Sequence, residues 1–115
     1  LDHWRPDIVL WMESELWPCM LLEIAERNIP AFLVNARLSE KSFSRWQKTG
    51  GLARRLLACF SAVLAQTEEE AGRYRALGAA HVVWTDNLKY AAAPLPVDTA
   101  ARAALTQALQ GRPLW

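Results

Sequence analysis

Four short runs of consecutive apolar residues punctuate the chain: Asp7 to Met12 (DIVLWM), Ala31 to Asn35 (AFLVN), Ala62 to Gln66 (AVLAQ) and His81 to Thr85 (HVVWT). Each is continuous rather than alternating and rich in β-branched or aromatic residues, the pattern of a strand buried on both faces of a parallel sheet. Between the runs the apolar positions take helical spacing. Leu16 to Asn28 carries Leu21, Leu22, Ile24 and Ala25 on one side and Glu23, Glu26 and Arg27 on the other, with Pro18 suited to a first turn and Asn28 and Pro30 as stops. Ser39 to Gln47, opened by a Ser cap, and Leu52 to Phe60 read as two helices separated by Gly50-Gly51. Thr67-Glu68-Glu69-Glu70 is a capping box with acids in the first turn, and Gly78 closes that helix.

Strand alternating with helix predicts right-handed crossovers and an α/β fold built on a doubly wound parallel sheet. After Tyr90 the stretch AAAPLPVD reads as a linker, and Thr99 to Gln110 as a helix with Leu105 and Leu109 on one side, ended by Gly111 and Pro113. Leu114-Trp115 has the character of the start of a further strand.

At 115 residues the chain has the length of one small domain or of part of a larger one. The first residue is not Met and the chain starts in the middle of a pattern, so an excerpt of a longer protein is expected. The composition, 52% hydrophobic and 22% charged with a net charge of +1, is that of a folded domain and suggests neither nucleic acid nor a strongly acidic surface as partner. Cys19 and Cys59 are too few and too far apart for a disulfide framework or a metal cluster, and His3 and His81 lack ligand partners at useful spacing. No metal or cofactor is therefore expected. No run approaches the roughly 20 apolar residues of a membrane span, and Asp2, Arg5 and Asp7 interrupt any signal-like start.

In an open α/β sheet ligands bind outside the carboxyl ends of the strands. Four groups fall there: Glu13-Ser14-Glu15, Asn35-Ala36-Arg37-Leu38-Ser39, Gln66-Thr67-Glu68 and Asp86-Asn87-Leu88-Lys89. Extended geometry would put Glu13 and Glu15 on one side, facing the positive end of the helix that begins near Pro18. Ionised carboxylates there can accept from sugar hydroxyls or pair with a base; the bland reading makes Glu15 a helix-terminus contact and Glu13 an ion-pair partner. Asn35, Arg37 and Ser39 combine an amide, a guanidinium and a hydroxyl, a set suited to phosphate or a polyhydroxylated ligand, against a plain helix entry capped by Ser39. Thr67 reads as a cap. Lys89 is a point cation suited to a carboxylate or phosphate, or else a solvated side chain. Trp11, Trp17, Trp46 and Trp84 are core or interface candidates. Arg45, Lys48, Arg54 and Arg55 form a basic cluster, a solvated face by default and a contact for an anionic membrane surface in the sharper reading. Dinucleotide-binding, P-loop, nucleophile-elbow and HEXXH motifs do not occur.

Five motifs in order resemble the 3-deoxy-D-manno-octulosonic acid (Kdo) transferases: W-R-P-D at Trp4 to Asp7, E-S-E-L-W-P at Glu13 to Pro18, V-N-A-R-L-S at Val34 to Ser39, L-A-Q-T-E-E at Leu64 to Glu69 and N-L-K-Y at Asn87 to Tyr90. The family usually has Gly before Asn-Leu-Lys and an acid after the aromatic, where this chain has Asp86 and Ala91. The resemblance implies a two-domain glycosyltransferase of GT-B type with a Rossmann-like N-terminal domain, which transfers Kdo from CMP-Kdo to a lipid A precursor in lipopolysaccharide synthesis, without a metal, at the cytoplasmic face of the inner membrane of Gram-negative bacteria. It implies that residues 1–92 are the later part of the acceptor-side N-terminal domain, and that 93–115 are a linker and helix leading to a donor-binding domain. The family's proposed catalytic Glu, its membrane anchor and its CMP-binding domain would lie outside these residues, so the chain alone is expected to be inactive. Under the resemblance Glu13, Glu15, Asn35, Arg37, Ser39, Asn87 and Lys89 line the cleft between domains, with the carboxylates on acceptor hydroxyls or a cation partner and Arg37 and Lys89 on anionic groups. The rival from another class is a non-enzymatic flavodoxin- or receiver-like binding module, which would need a phosphorylatable Asp where the chain has Asn35 and Gln66.

Overall fold

The computed structural model describes residues 1–13 and 15–112. The expected further strand at Leu114-Trp115, the Pro113 helix stop and Ser14 lie outside the described residues. Four parallel strands, β1 (Val9–Met12), β2 (Ala31–Ala36), β3 (Ala62–Ala65) and β4 (Val82–Trp84), pair in the order β1-β2-β3-β4. Helix α1 (Pro18–Glu26) connects β1 to β2, α2 (Glu40–Gln47) and α3 (Leu52–Leu57) connect β2 to β3, and α4 (Glu68–Ala76) connects β3 to β4. This is the α/β, parallel, Rossmann-like arrangement that the alternation of patterns implies.

The helix ends follow the local chemistry. Ser39 accepts from the Ser42 amide and Thr67 from the Glu70 amide, so both predicted caps form. Asn28 (φ 55) and Gly78 (φ 95) adopt the left-handed conformation just past α1 and α4, and the next amides, Ile29 and Ala79, reach back to the carbonyls of Ile24 and Tyr74. That pairing satisfies the open carbonyls of the last turn. Helix α1 begins with Pro18 in its first turn and no side-chain cap. Helix α5 (Thr99–Leu109) is capped by Asp98 and has no buried residue. The expected linker after Tyr90 is preceded by a 3-10 turn, Leu88–Ala91, that the apolar pattern did not indicate.

The core lies between one sheet face and the helices. Leu33 and Val63 are paired across β2 and β3 and sit beneath Leu21 and Ile24 of α1, Ala53, Leu56 and Leu57 of α3, and Ala71 and Tyr74 of α4, all buried. Trp11 meets Phe60 edge to face at 6.4 Å.

The expectation of strands buried on both faces is corrected here. Leu10 (64% exposed), Met12 and Val83 project from the other face together with half-buried Phe32, Val34 and Leu64. A strand order that runs 1-2-3-4 without reversal, joined by right-handed crossovers, places every connecting helix on the same side. The runs are apolar on both faces, as read; the second helical layer of a doubly wound sheet is not supplied by the described residues.

Candidate functional site

At the carboxyl edge three of the four strands have a residue with left-handed backbone at or near their end: Glu13 (φ 63) after β1, Asn35 (φ 55) within β2 and Asp86 (φ 61) after β4. A non-glycine residue with positive φ is uncommon, and Asn and Asp tolerate it best. Each such residue turns the chain sharply as it leaves the sheet. In β2 the turn is a bulge, because Leu33 pairs with Val63 and Ala36 with Ala65, so three residue steps on one strand face two on the other.

The predicted residues divide into those that face the edge cleft and those that hold it. Glu13, Arg37 and Ser39, joined by Ser42, line a cleft of about 280 Å³. Glu13 also lines, with Glu15, Trp11, Met12, Trp17 and Met20, a neighbouring cleft of about 510 Å³ whose walls are mainly aromatic and thioether groups. Lys89 Nζ lies 3.9 Å from Glu13 Oε1, both side chains being largely exposed. An exposed pair of this kind contributes about 0–1 kcal/mol, so an anionic ligand can take the lysine from its carboxylate at little cost.

Glu13 and Glu15 do share a cleft, but the expected reason is corrected. Glu13 is not extended, and the two acids are brought together by the turn, which Trp11 holds by donating its indole N–H to the Glu15 carbonyl. The Trp17 indole donates to the Glu15 carboxylate at 3.1 Å. Neither acid caps α1, whose N-terminus has no side-chain hydrogen bond.

Asn35 and Asn87 are occupied within the protein. Asn35 is 3% exposed, its Oδ1 accepts from the Leu88 amide at 3.1 Å, and its carbonyl accepts from Gln66 Nε2 at 2.9 Å. Asn87 Oδ1 accepts from the Lys89 amide at 3.0 Å and so opens the 3-10 turn. Through these bonds Asn35 ties the end of β2 to the loop that presents Lys89. Asn35→Ala should therefore destabilise the protein by about 1–2 kcal/mol, from the lost acceptor and the strained backbone together. Faster amide exchange at Leu88 should accompany a lower urea midpoint; an unchanged midpoint and unchanged Leu88 exchange would show that the tie carries no energy.

At Asp86 the backbone is left-handed (φ 61), the conformation glycine adopts with least strain. Here the Asp86 carboxylate accepts from the Trp84 indole at 2.9 Å, which stabilises the turn instead. Ser39 acts as the helix cap of the bland reading while still lining the cleft. Four contributors escaped the sequence reading. Ser42 is signalled only by lying three residues after a cap; Glu70, Arg73 and Tyr74 of α4 reach the loop after β2 from more than thirty positions along the chain. Among the described residues no three His, Cys, Asp or Glu side chains gather as a metal site, and no helix is long and apolar enough to cross a membrane.

A parallel α/β sheet with carboxylates, a guanidinium, a hydroxyl and an ammonium at the carboxyl edge of its strands defines a Rossmann-like domain. Residues 1–92 match the family model of 3-deoxy-D-manno-octulosonic-acid transferase (kdotransferase), and the chain belongs to that family. It is 36% identical over 112 residues to a 3-deoxy-D-manno-octulosonic acid transferase of Rickettsia felis, covering 97% of this chain and 24% of the relative. It is 36% identical over 94 residues to a probable mitochondrial 3-deoxy-D-manno-octulosonic acid transferase of Arabidopsis thaliana (78% and 21%), and 34% identical over 88 residues to the Haemophilus influenzae transferase (75% and 21%). The chain thus spans about a quarter or less of the length of these curated relatives. No solved structure matches it significantly.

Proposed function

We propose that the whole protein is a glycosyltransferase of GT-B type that moves Kdo from CMP-Kdo to a lipid A precursor, and that residues 1–92 form part of its acceptor-side domain. Family membership over those residues is the observation that carries this reading, and it displaces the receiver-like alternative. Residues 93–115, with the exposed helix α5, would lead to the donor-binding domain, and the reaction would take place at the cytoplasmic face of the inner membrane. No resident metal or cofactor is required by the chemistry assigned to these residues.

Transfer needs an acceptor hydroxyl held against the anomeric carbon of Kdo while the CMP phosphate departs with the bonding electrons. Glu13 and Glu15 can accept hydrogen bonds from acceptor sugar hydroxyls, and the Trp11, Trp17 and Met20 walls suit the apolar face of a sugar ring. Arg37 and Lys89 can meet carboxylate or phosphate oxygens, Arg37 through two parallel bonds. The family's catalytic Glu lies outside the chain on this reading, so these residues bind and orient rather than move the proton. Incubating the complete polypeptide with CMP-Kdo labelled in the sugar and a lipid A precursor should put label into the lipid fraction. A folded, complete protein that leaves all label in the aqueous phase would overturn the assignment.

A further inference from the structure

Beyond Ala36 the chain leaves the sheet, yet the next two residues are not loose. Three consecutive main-chain groups are held by side chains of one helix. Tyr74 Oη donates to the Arg37 carbonyl at 3.1 Å, the Leu38 amide donates to Glu70 Oε1 at 3.2 Å, and Arg73 Nη1 donates to the Leu38 carbonyl at 2.7 Å. All three side chains come from α4, at consecutive helical spacing on its inner face.

These contacts are not those of a solvated helix. Glu70 is 8% exposed and Tyr74 2%, and the Arg73 side chain is mostly buried while also pairing with Glu40 and Glu69. A buried carboxylate is tolerated only when its oxygens are satisfied. One Glu70 oxygen accepts from Leu38, and the other accepts from Thr67 Oγ1 at 3.2 Å, the same hydroxyl that accepts from the Glu70 amide. The capping box of α4 thus does two things: it starts the helix and locks the Glu70 carboxylate in the direction of Leu38. Burial and the nearby Glu70 charge push the Tyr74 phenol well above its ordinary range, so it remains a donor. Leu38 itself is buried in the core, which leaves Arg37 on one side of a fixed peptide and the Ser39 cap on the other.

We propose that Glu70, Arg73 and Tyr74 are positioning residues of the ligand site, clamping the backbone of residues 37 and 38 so that the Arg37 guanidinium is presented at the carboxyl edge beside Glu13. The clamp reaches ligand only through Arg37, and it rests on the reading of Arg37 as a binding residue. Binding through a surface arginine orders both its main chain and its side chain; the clamp has already met the main-chain part of that cost.

The test uses the complete polypeptide with CMP-Kdo and lipid A precursor, and the variants Arg37→Ala, Tyr74→Phe, Glu70→Ala, Glu70→Gln and the double variant Arg37→Ala/Tyr74→Phe. Arg37→Ala should raise the KM for one of the two substrates. Tyr74→Phe should raise that same KM about fivefold with kcat within about twofold, the size expected from one lost hydrogen bond. In the Arg37→Ala background Tyr74→Phe should have no further effect. Glu70→Ala should act like Tyr74→Phe, and Glu70→Gln, which keeps an acceptor for Leu38, should restore most of the affinity. An additive double variant, or a Tyr74→Phe effect on kcat alone, would overturn the clamp. Amide exchange in residues 36–40 separates this from failure of the assigned reaction. It should quicken in Tyr74→Phe and Glu70→Ala whether or not the protein transfers Kdo, and unchanged exchange would overturn the clamp even in an active enzyme.

Discussion

Leu33→Ala is expected to lower the free energy of unfolding by about 2–5 kcal/mol, a large part of the roughly 5–15 kcal/mol that holds a domain together. Leu33 lies in an inner strand of the sheet, is 0% exposed, and has Trp11 and Val63 as its paired neighbours. Helices α1, α3 and α4 close over it, so removing three carbons leaves a cavity that cannot collapse without moving a helix on a parallel sheet. Urea unfolding followed by tryptophan fluorescence measures the loss, since Trp11 packs against Phe60 in the same core. A change under about 1 kcal/mol would mean that the site refills, and would contradict a rigid helix-on-sheet core.

Glu13→Gln in the complete polypeptide is expected to cut Kdo transfer at least tenfold, about 1.4 kcal/mol of barrier, with little change in stability. Glu13 lines both clefts at the carboxyl edge and stands 3.9 Å from Lys89, so it is where an acceptor hydroxyl and an anionic group would meet. The amide keeps the shape of the carboxylate and removes its charge. An exposed ion pair supplies too little energy for its loss to unfold the domain, so an effect on turnover would report the site and not the fold. Unchanged turnover in a normally folded variant would refute the role.

The two predictions draw on different kinds of information. The AFLVN run was legible as a strand but not which of its residues the helices would cover, and the caps and stops placed the helices to within a few residues, as Ser39, Thr67, Asn28 and Gly78 show. The strand ends were legible as the edge where a ligand would bind, because parallel α/β topology fixes which end is open. Glu13, Glu15, Arg37, Ser39 and Lys89 do gather there. Asn35 was legible as belonging to this edge but not as a buried tie, since its partner Leu88 lies fifty-three positions away.

Sequence by itself determined the four strands, the helices between them and the chemical character of the edge, because caps, turns and apolar periodicity act within a few residues of the chain. Only the tertiary structure decided how the edge is aimed. The tie from Asn35 to Leu88, the bulge in β2 and the grip of α4 on Leu38 depend on hydrogen bonds between groups far apart in the sequence, which local propensity does not encode. The open apolar sheet face was hidden for a related reason. Residue pattern shows that a strand is apolar on both sides, but which side the helices cover follows from strand order and crossover handedness, properties of the assembled sheet.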